Sequence, residues 1–110
     1  MLTIETQQEH GHHILLLRGE VDASNSVILD EAITNLVAQG SSSILVDGAG
    51  LEYISSAGLG VFMSYLEDFQ EKGIDLKIFS LSDRVFEVFR ILGLDQLIPI
   101  YPDKITALST

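Results

Sequence analysis

Two adjacent serines stand where a hydroxyl could carry chemistry. Ser55 and Ser56 are followed by Ala57, Gly58, Leu59 and Gly60, and the apolar spacing predicts that a helix starts near Ser56. A helix N-terminus offers unpaired N–H groups and the positive end of the helix dipole. A phosphate on a hydroxyl at that point is held by the helix itself. Gly58 and Gly60 keep the first turns low, so another protein's backbone can approach. The same pattern has a purely structural reading, in which a serine caps the helix and the glycines permit tight helix–sheet packing. Each glycine costs the helix about 1 kcal/mol relative to alanine, a cost that an ordinary amphipathic helix would not carry twice at its start.

Other chemistry is weaker. Asp22 and Ser24 lie in a second loop, Gly19-Glu20-Val21-Asp22-Ala23-Ser24. Both loops fall beyond the carboxyl ends of predicted strands, where open α/β sheets place their functional groups. Asp47 also ends a predicted strand, a position that more often caps the following loop. His10, His12 and His13 read as a surface cluster rather than a metal site, because no cysteine and no distant histidine completes a ligand set. There is no Gly-x-Ser-x-Gly elbow and no phosphate loop with its lysine. An esterase or nucleotide hydrolase therefore has no support in the sequence.

The elements that must position these residues follow from periodicity. Leu2–Thr6 alternates as a strand, Glu9-His10-Gly11 turns, and His12–Arg18 is a second strand, apolar on both faces. Asp22 or Ser24 is expected to cap a first helix carrying Leu29, Ala32, Ile33, Leu36 and Val37, which Gly40 ends. Ser43–Asp47 reads as a short buried strand and Gly48-Ala49-Gly50 as a loop. The helix from Ser56 turns Leu59, Phe62, Met63, Leu66 and Phe69 inward and closes at Gly73. Ile74–Phe79 is a strand, and Ser82-Asp83 caps a third helix with Val85, Val88, Phe89 and Leu92 facing the core. Leu97–Tyr101 is an edge strand broken by Pro99, and Asp103–Leu108 a short last helix. Strand–helix alternation after Ser43 implies parallel pairing, and the opening hairpin adds an antiparallel part. The expected fold is α/β: one domain over residues 1–110, a four- or five-stranded mixed sheet and about four helices.

Bulk properties narrow the function. The chain has 110 residues and a formal net charge of −10, with only 6 Lys and Arg. A free-standing nucleic-acid binder needs a basic face to displace counterions from phosphate, so direct nucleic-acid binding is excluded. The acidic excess serves solubility or steers the chain to a basic protein surface. The absence of cysteine leans toward a reducing, cytoplasmic setting. The N-terminus lacks a signal-peptide pattern, and no apolar run approaches the length of a membrane span.

Three segments together resemble the STAS-domain anti-sigma factor antagonists of bacteria. They are Gly19-Glu20-Val21-Asp22, the stretch from Ile44-Leu45-Val46-Asp47 into Leu51-Glu52-Tyr53-Ile54-Ser55-Ser56-Ala57-Gly58-Leu59-Gly60, and the tail Phe86–Leu94 followed by Ile98–Tyr101. The resemblance spans almost the whole chain. It implies a cofactor-free binding protein rather than an enzyme. The partner is an anti-sigma factor that is also a serine kinase of ATPase-like fold, and a PP2C-type serine phosphatase reverses the modification. The family motif reads Asp-Ser-Ser/Thr-Gly-Leu with the first serine as phosphoacceptor. Aligned on Gly58-Leu59-Gly60, that acceptor falls on Ser56. Ser55 replaces the aspartate and is a rival acceptor, and Ala57 takes the third position. Asp22 matches an acidic residue beside the phosphosite. By the same resemblance the partner surface comprises Asp22, Ser24, Ser55, Ser56, Ala57, Gly58, Leu59 and Gly60. The competing reading is an unphosphorylated STAS adaptor of a signalling or transport complex, in which the serine only caps its helix.

Overall fold

The computed structural model describes residues 1–110. A five-stranded sheet in the order β1-β2-β3-β4-β5 is built from Leu2–Glu9, His12–Val21, Ser43–Ile54, Asp75–Phe79 and Ile100–Tyr101. β1 and β2 run antiparallel, and all later pairs are parallel. Four helices accompany the strands: α1 (Ser26–Ala38), α2 (Ser56–Lys72), α3 (Asp83–Ile91) and α4 (Lys104–Leu108). The mixed α/β architecture expected from the sequence is the one observed. The hairpin turn is set by His10 and Gly11, both at positive φ (51° and 83°), as a tight two-residue hairpin loop requires.

The helices divide unequally between the two faces of the sheet. Leu29, Ile33 and Leu36 of α1, Leu59, Phe62 and Phe69 of α2, and Val85 and Phe89 of α3 share one core with Leu15, Leu17, Val46 and Ile78. Ala107 of α4 covers the other face with Ile14, Leu45 and Phe79. β2 therefore buries both of its faces, which is why it reads as an unbroken apolar run.

Several expectations need correction. β3 does not stop at Asp47: it continues to Ile54, and Gly48-Ala49-Gly50 lies within it. Leu16 pairs with Asp47 and Glu20 with Tyr53, so four steps along β2 match six along β3. The two surplus residues are absorbed as bulges. Leu81 packs closely over Gly48, where a Cβ would stand 2.4 Å from its Cδ2 and the side chain would have to move aside. β1 and β2 are likewise longer than expected, ending at Glu9 and Val21.

Two supposed core residues are exposed: Met63 at 51% and Leu92 at 55%. Helical geometry puts Met63 roughly 80° from the mean direction of Leu59, Phe62, Leu66 and Phe69. Leu92 is the C-cap of α3, where the helical period ends. The last strand holds only Ile100 and Tyr101. Ile78 N donates to Pro99 O at 3.0 Å, and one step earlier the parallel ladder would need an N–H on Pro99 to reach Leu76 C=O. Proline lacks it, so β5 cannot start sooner. No helix is long and apolar enough to cross a membrane.

Candidate functional site

The end of β2 and the start of α2 are tied together. The β2–β3 register runs to Val21 against Ile54, and Ser55 N donates to Val21 O at 2.9 Å. Asp22 follows Val21, so the two loops singled out in the sequence meet.

The structure separates the two serines. Ser55 is the N-cap of α2, with extended backbone (φ −88°, ψ 173°), and its Oγ accepts from Gly58 N at 3.4 Å. Its carbonyl accepts the first helical bond, from Leu59 N at 3.0 Å. The Ser55 hydroxyl is thus engaged in the fold. Ser56 is the first residue of the helix, exposed, and its hydroxyl has no partner in the protein. No acidic side chain belongs to the first turn of α2 itself, so a negative group on Ser56 would meet the positive end of the helix dipole.

The glycines also part. Gly58 is buried, and a Cβ there would lie 2.6 Å from Val21 Cγ1 and 2.8 Å from Ile54 Cγ1. It lets the helix start pack onto the ends of β2 and β3. Gly60 is exposed with nothing within 4 Å of where a Cβ would be. Leu59 is 1% exposed and belongs to the core, so Leu59 and Gly58 shape this surface from beneath rather than touching anything outside. The outward groups are Ser56, Gly60 and, half-buried, Ser55 and Ala57.

Neither Asp22 nor Ser24 caps α1, contrary to expectation. The N-cap is Asn25, which makes no side-chain cap bond. Asp22 Oδ1 instead accepts from Ser24 N at 2.9 Å and from Ser24 Oγ at 2.6 Å. Asn25 Oδ1 accepts from Asp22 N, and Asn25 Nδ2 donates to Glu20 O. The Ser24 hydroxyl bond, then its backbone N–H, holds the Asp22 carboxyl below the usual carboxylate range. Asp22 is therefore a fixed negative charge next to the start of α2, and Ser24 orients it.

Sequence reasoning missed apolar residues at the same end of the molecule. Tyr53 is 49% exposed and pairs in register with Glu20, and Val27 is 56% exposed in the first turn of α1. The signal for Val27 was present: it lies outside the Leu29-Ile33-Leu36 stripe. His12 and His13 sit at the opposite, N-terminal end of β2, where their Nδ1 atoms bond Ser43 Oγ (2.6 Å) and Ser41 Oγ (2.7 Å).

The STAS domain family matches residues 3–107 of this sequence. The chain belongs to the STAS domain family. The anti-sigma-B factor antagonist of Listeria monocytogenes is 31% identical over 100 residues, covering 90% of this chain and 88% of the relative. The crystal structure of an anti-sigma factor antagonist from Mycobacterium paratuberculosis superposes with a TM-score of 0.88 at 22% identity, over 99% of this chain and 92% of that one. The Bacillus cell fate determinant SpoIIAA in its phosphorylated form superposes at 0.71 and 17% identity, over 99% and 97% of the two chains, and that likeness is one of fold. The STAS assignment made from the three sequence segments thus holds.

Proposed function

We propose that this STAS domain is an anti-sigma factor antagonist whose partner binding is switched off by phosphorylation of Ser56. One observation carries the reading: Ser56 offers an exposed, unbonded hydroxyl at the first position of α2, while its rival Ser55 is held as the cap. Similarity over 90% of the chain to a named anti-sigma-B factor antagonist supports the class of partner. That partner is an anti-sigma factor which is itself a serine kinase of ATPase-like fold. The kinase supplies ATP and the base. The Ser56 oxygen takes the γ-phosphoryl group, the hydroxyl proton goes to the kinase base, and ADP leaves. A PP2C-type phosphatase returns the serine, and the cycle runs in the cytoplasm. The antagonist itself performs no catalysis.

The switch follows from charge. Phosphorylation adds about −1.5 to −2 charges beside the fixed Asp22 carboxylate. Burying that charge against the partner without compensation costs several kcal/mol. Each 1.4 kcal/mol is tenfold in affinity, so about 4 kcal/mol removes a micromolar complex. The test uses the cognate kinase. Ser56→Ala should retain kinase binding and accept no phosphate by intact mass, and Ser56→Asp should bind at least about tenfold more weakly. Equal binding by the two variants, or full phosphorylation of Ser56→Ala, refutes the assignment.

A further inference from the structure

A second feature lies at the other end of α2, some 25 Å from Ser56 by helix length, and does not depend on the reading of Ser56. Because Pro99 stops the β4–β5 ladder at Ile78, the edge of β4 below that point is uncovered. Asp75 N donates inward to Ser42 O, and Ile78 N and Ser80 N donate outward to Pro99 O and Tyr101 O. By strand alternation the N–H and C=O of Leu76 point outward, where the ladder gives them no partner. Leu76 is only 8% exposed. An unpaired N–H and C=O at an open sheet edge are a template for a further strand.

The space for one is present. A cleft of about 420 Å³ opens at this edge, walled by Leu66, Phe69, Ile74, Leu97 and Pro99. Leu97 is 61% exposed, an apolar side chain without cover. The charge at the cleft is acidic. Asp75 and Lys77 both line it, and Glu71 is exposed at the adjoining end of α2, outside the lining, on a chain whose net charge is −10. The nearby cations are engaged: Lys72 pairs with Asp68 at 3.1 Å, and Lys77 Nζ donates to Ala107 O and Thr110 O on the α4 side.

We propose that this cleft binds an extended segment of a partner protein, an apolar residue flanked by Lys or Arg, which pairs its backbone with Leu76. One residue of an antiparallel strand makes both bonds, its N–H to Leu76 C=O and its C=O from Leu76 N–H. Its apolar neighbours enter the cleft, and the flanking cations face Asp75 and Glu71. A second copy of this chain is the wrong occupant on charge: the net charge is −10, and its free edge strand β1 carries Glu5 and Glu9 and no Lys or Arg.

The probe is acetyl-Lys-Arg-Val-Leu-Val-Arg-Lys-amide titrated into the ¹⁵N-labelled chain. The Leu76 amide resonance should move downfield and its solvent exchange should slow, with shifts at Gln96 and Leu97 and none from Ser55 to Leu59. N-methylation of the three central residues in turn should weaken binding about five- to tenfold at one or two positions, the loss of one backbone hydrogen bond. Replacing the four basic residues with Glu should abolish binding at low salt, and Leu97→Lys, which removes apolar surface and adds a like charge at a position outside the core, should weaken the basic peptide. The proposal is overturned if Leu76 does not respond to the peptide, if no N-methyl position matters, if the acidic peptide binds equally well, or if Leu76 is already protected without peptide in a chain that sediments as a dimer.

Discussion

Gly58→Ala should destabilise the fold, although alanine is the better helix former. A Cβ at this position would stand 2.6 Å from Val21 Cγ1, 2.8 Å from Ile54 Cγ1 and 3.2 Å from Ile54 Cδ1. Carbon contacts are optimal near 3.5–4.0 Å. Neither neighbour can swing aside. Val21 is fully buried and Ile54 is 2% exposed, and both are β-branched and stiff at χ1. Overpacking of this kind costs about 1–3 kcal/mol. Two contacts inside 3.0 Å with immobile neighbours put Gly58→Ala in the upper part of that range, about 2–3 kcal/mol. Helix propensity returns at most about 1 kcal/mol, so the expected net loss is about 1–2 kcal/mol. Gly60→Ala, two residues on, is the internal control: it meets nothing within 4 Å and should stabilise by about 0.5–1 kcal/mol. Urea unfolding of the three proteins followed by circular dichroism measures both, with unchanged m values confirming that only stability moved. A Gly58→Ala protein as stable as the parent would refute the packing argument, as would a loss at Gly60→Ala equal to that at Gly58→Ala.

Three further outcomes are expected. Tyr65 donates to Asp30 Oδ1 at 2.6 Å, and burial together with this bond raises its pKa above the ordinary value near 10. A raised folded pKa means stability that is complete below pH 10 and lost as the pH climbs through the folded value, so Tyr65→Phe should flatten the alkaline limb of a stability–pH curve, and absorbance titration should show one of the three tyrosines ionising late. Asp22→Asn keeps an Oδ1 acceptor for the Ser24 amide, so hydrogen exchange at Ser24 and the unfolding midpoint should stay nearly unchanged while the lost charge weakens kinase binding. Phosphorylation of Ser56 should leave thermal stability equal or slightly higher, by about 0.3–1 kcal/mol from the helix dipole, so lost binding without lost stability distinguishes a switch from local unfolding.

The sequence made the fold legible where one residue property decided the outcome. The 3.6-residue stripe of α1, the unbroken apolar run of β2 and the Ser82 cap of α3 (Oγ to Val85 N, 3.2 Å) each follow from local rules. What stayed hidden depended on distant neighbours. Gly48-Ala49-Gly50 carries loop-forming residues, yet it is strand because β2 and Leu81 press against it. Asp22 is a good cap by type, yet Asn25 takes the cap position because Asp22 is closed onto Ser24. At the site, the sequence placed the two loops together and named both serines, but capping geometry was needed to tell them apart. Gly58 and Gly60 looked equivalent for the same reason: only the positions of Val21 and Ile54 distinguish a glycine that packs from one that leaves the surface open.

The two serines allow one more decisive experiment. Aspartate and serine are both strong N-caps, so a serine at position 55, where the family motif carries aspartate, preserves the bond to Gly58 N while removing a charge. Ser55→Asp should therefore fold as well as the parent, and gain up to a few tenths of a kcal/mol from the dipole. Ser55→Ala should lose about 1 kcal/mol. If the Ser55 hydroxyl serves the helix and the Ser56 hydroxyl serves the kinase, both Ser55 variants still take one phosphate by intact mass and Ser56→Ala takes none. Phosphate appearing on Ser55 in the Ser56→Ala protein, at the parent rate, would mean that the cap bond is no barrier to transfer. The division of labour between the two residues would then be wrong, whatever the stability measurements had shown.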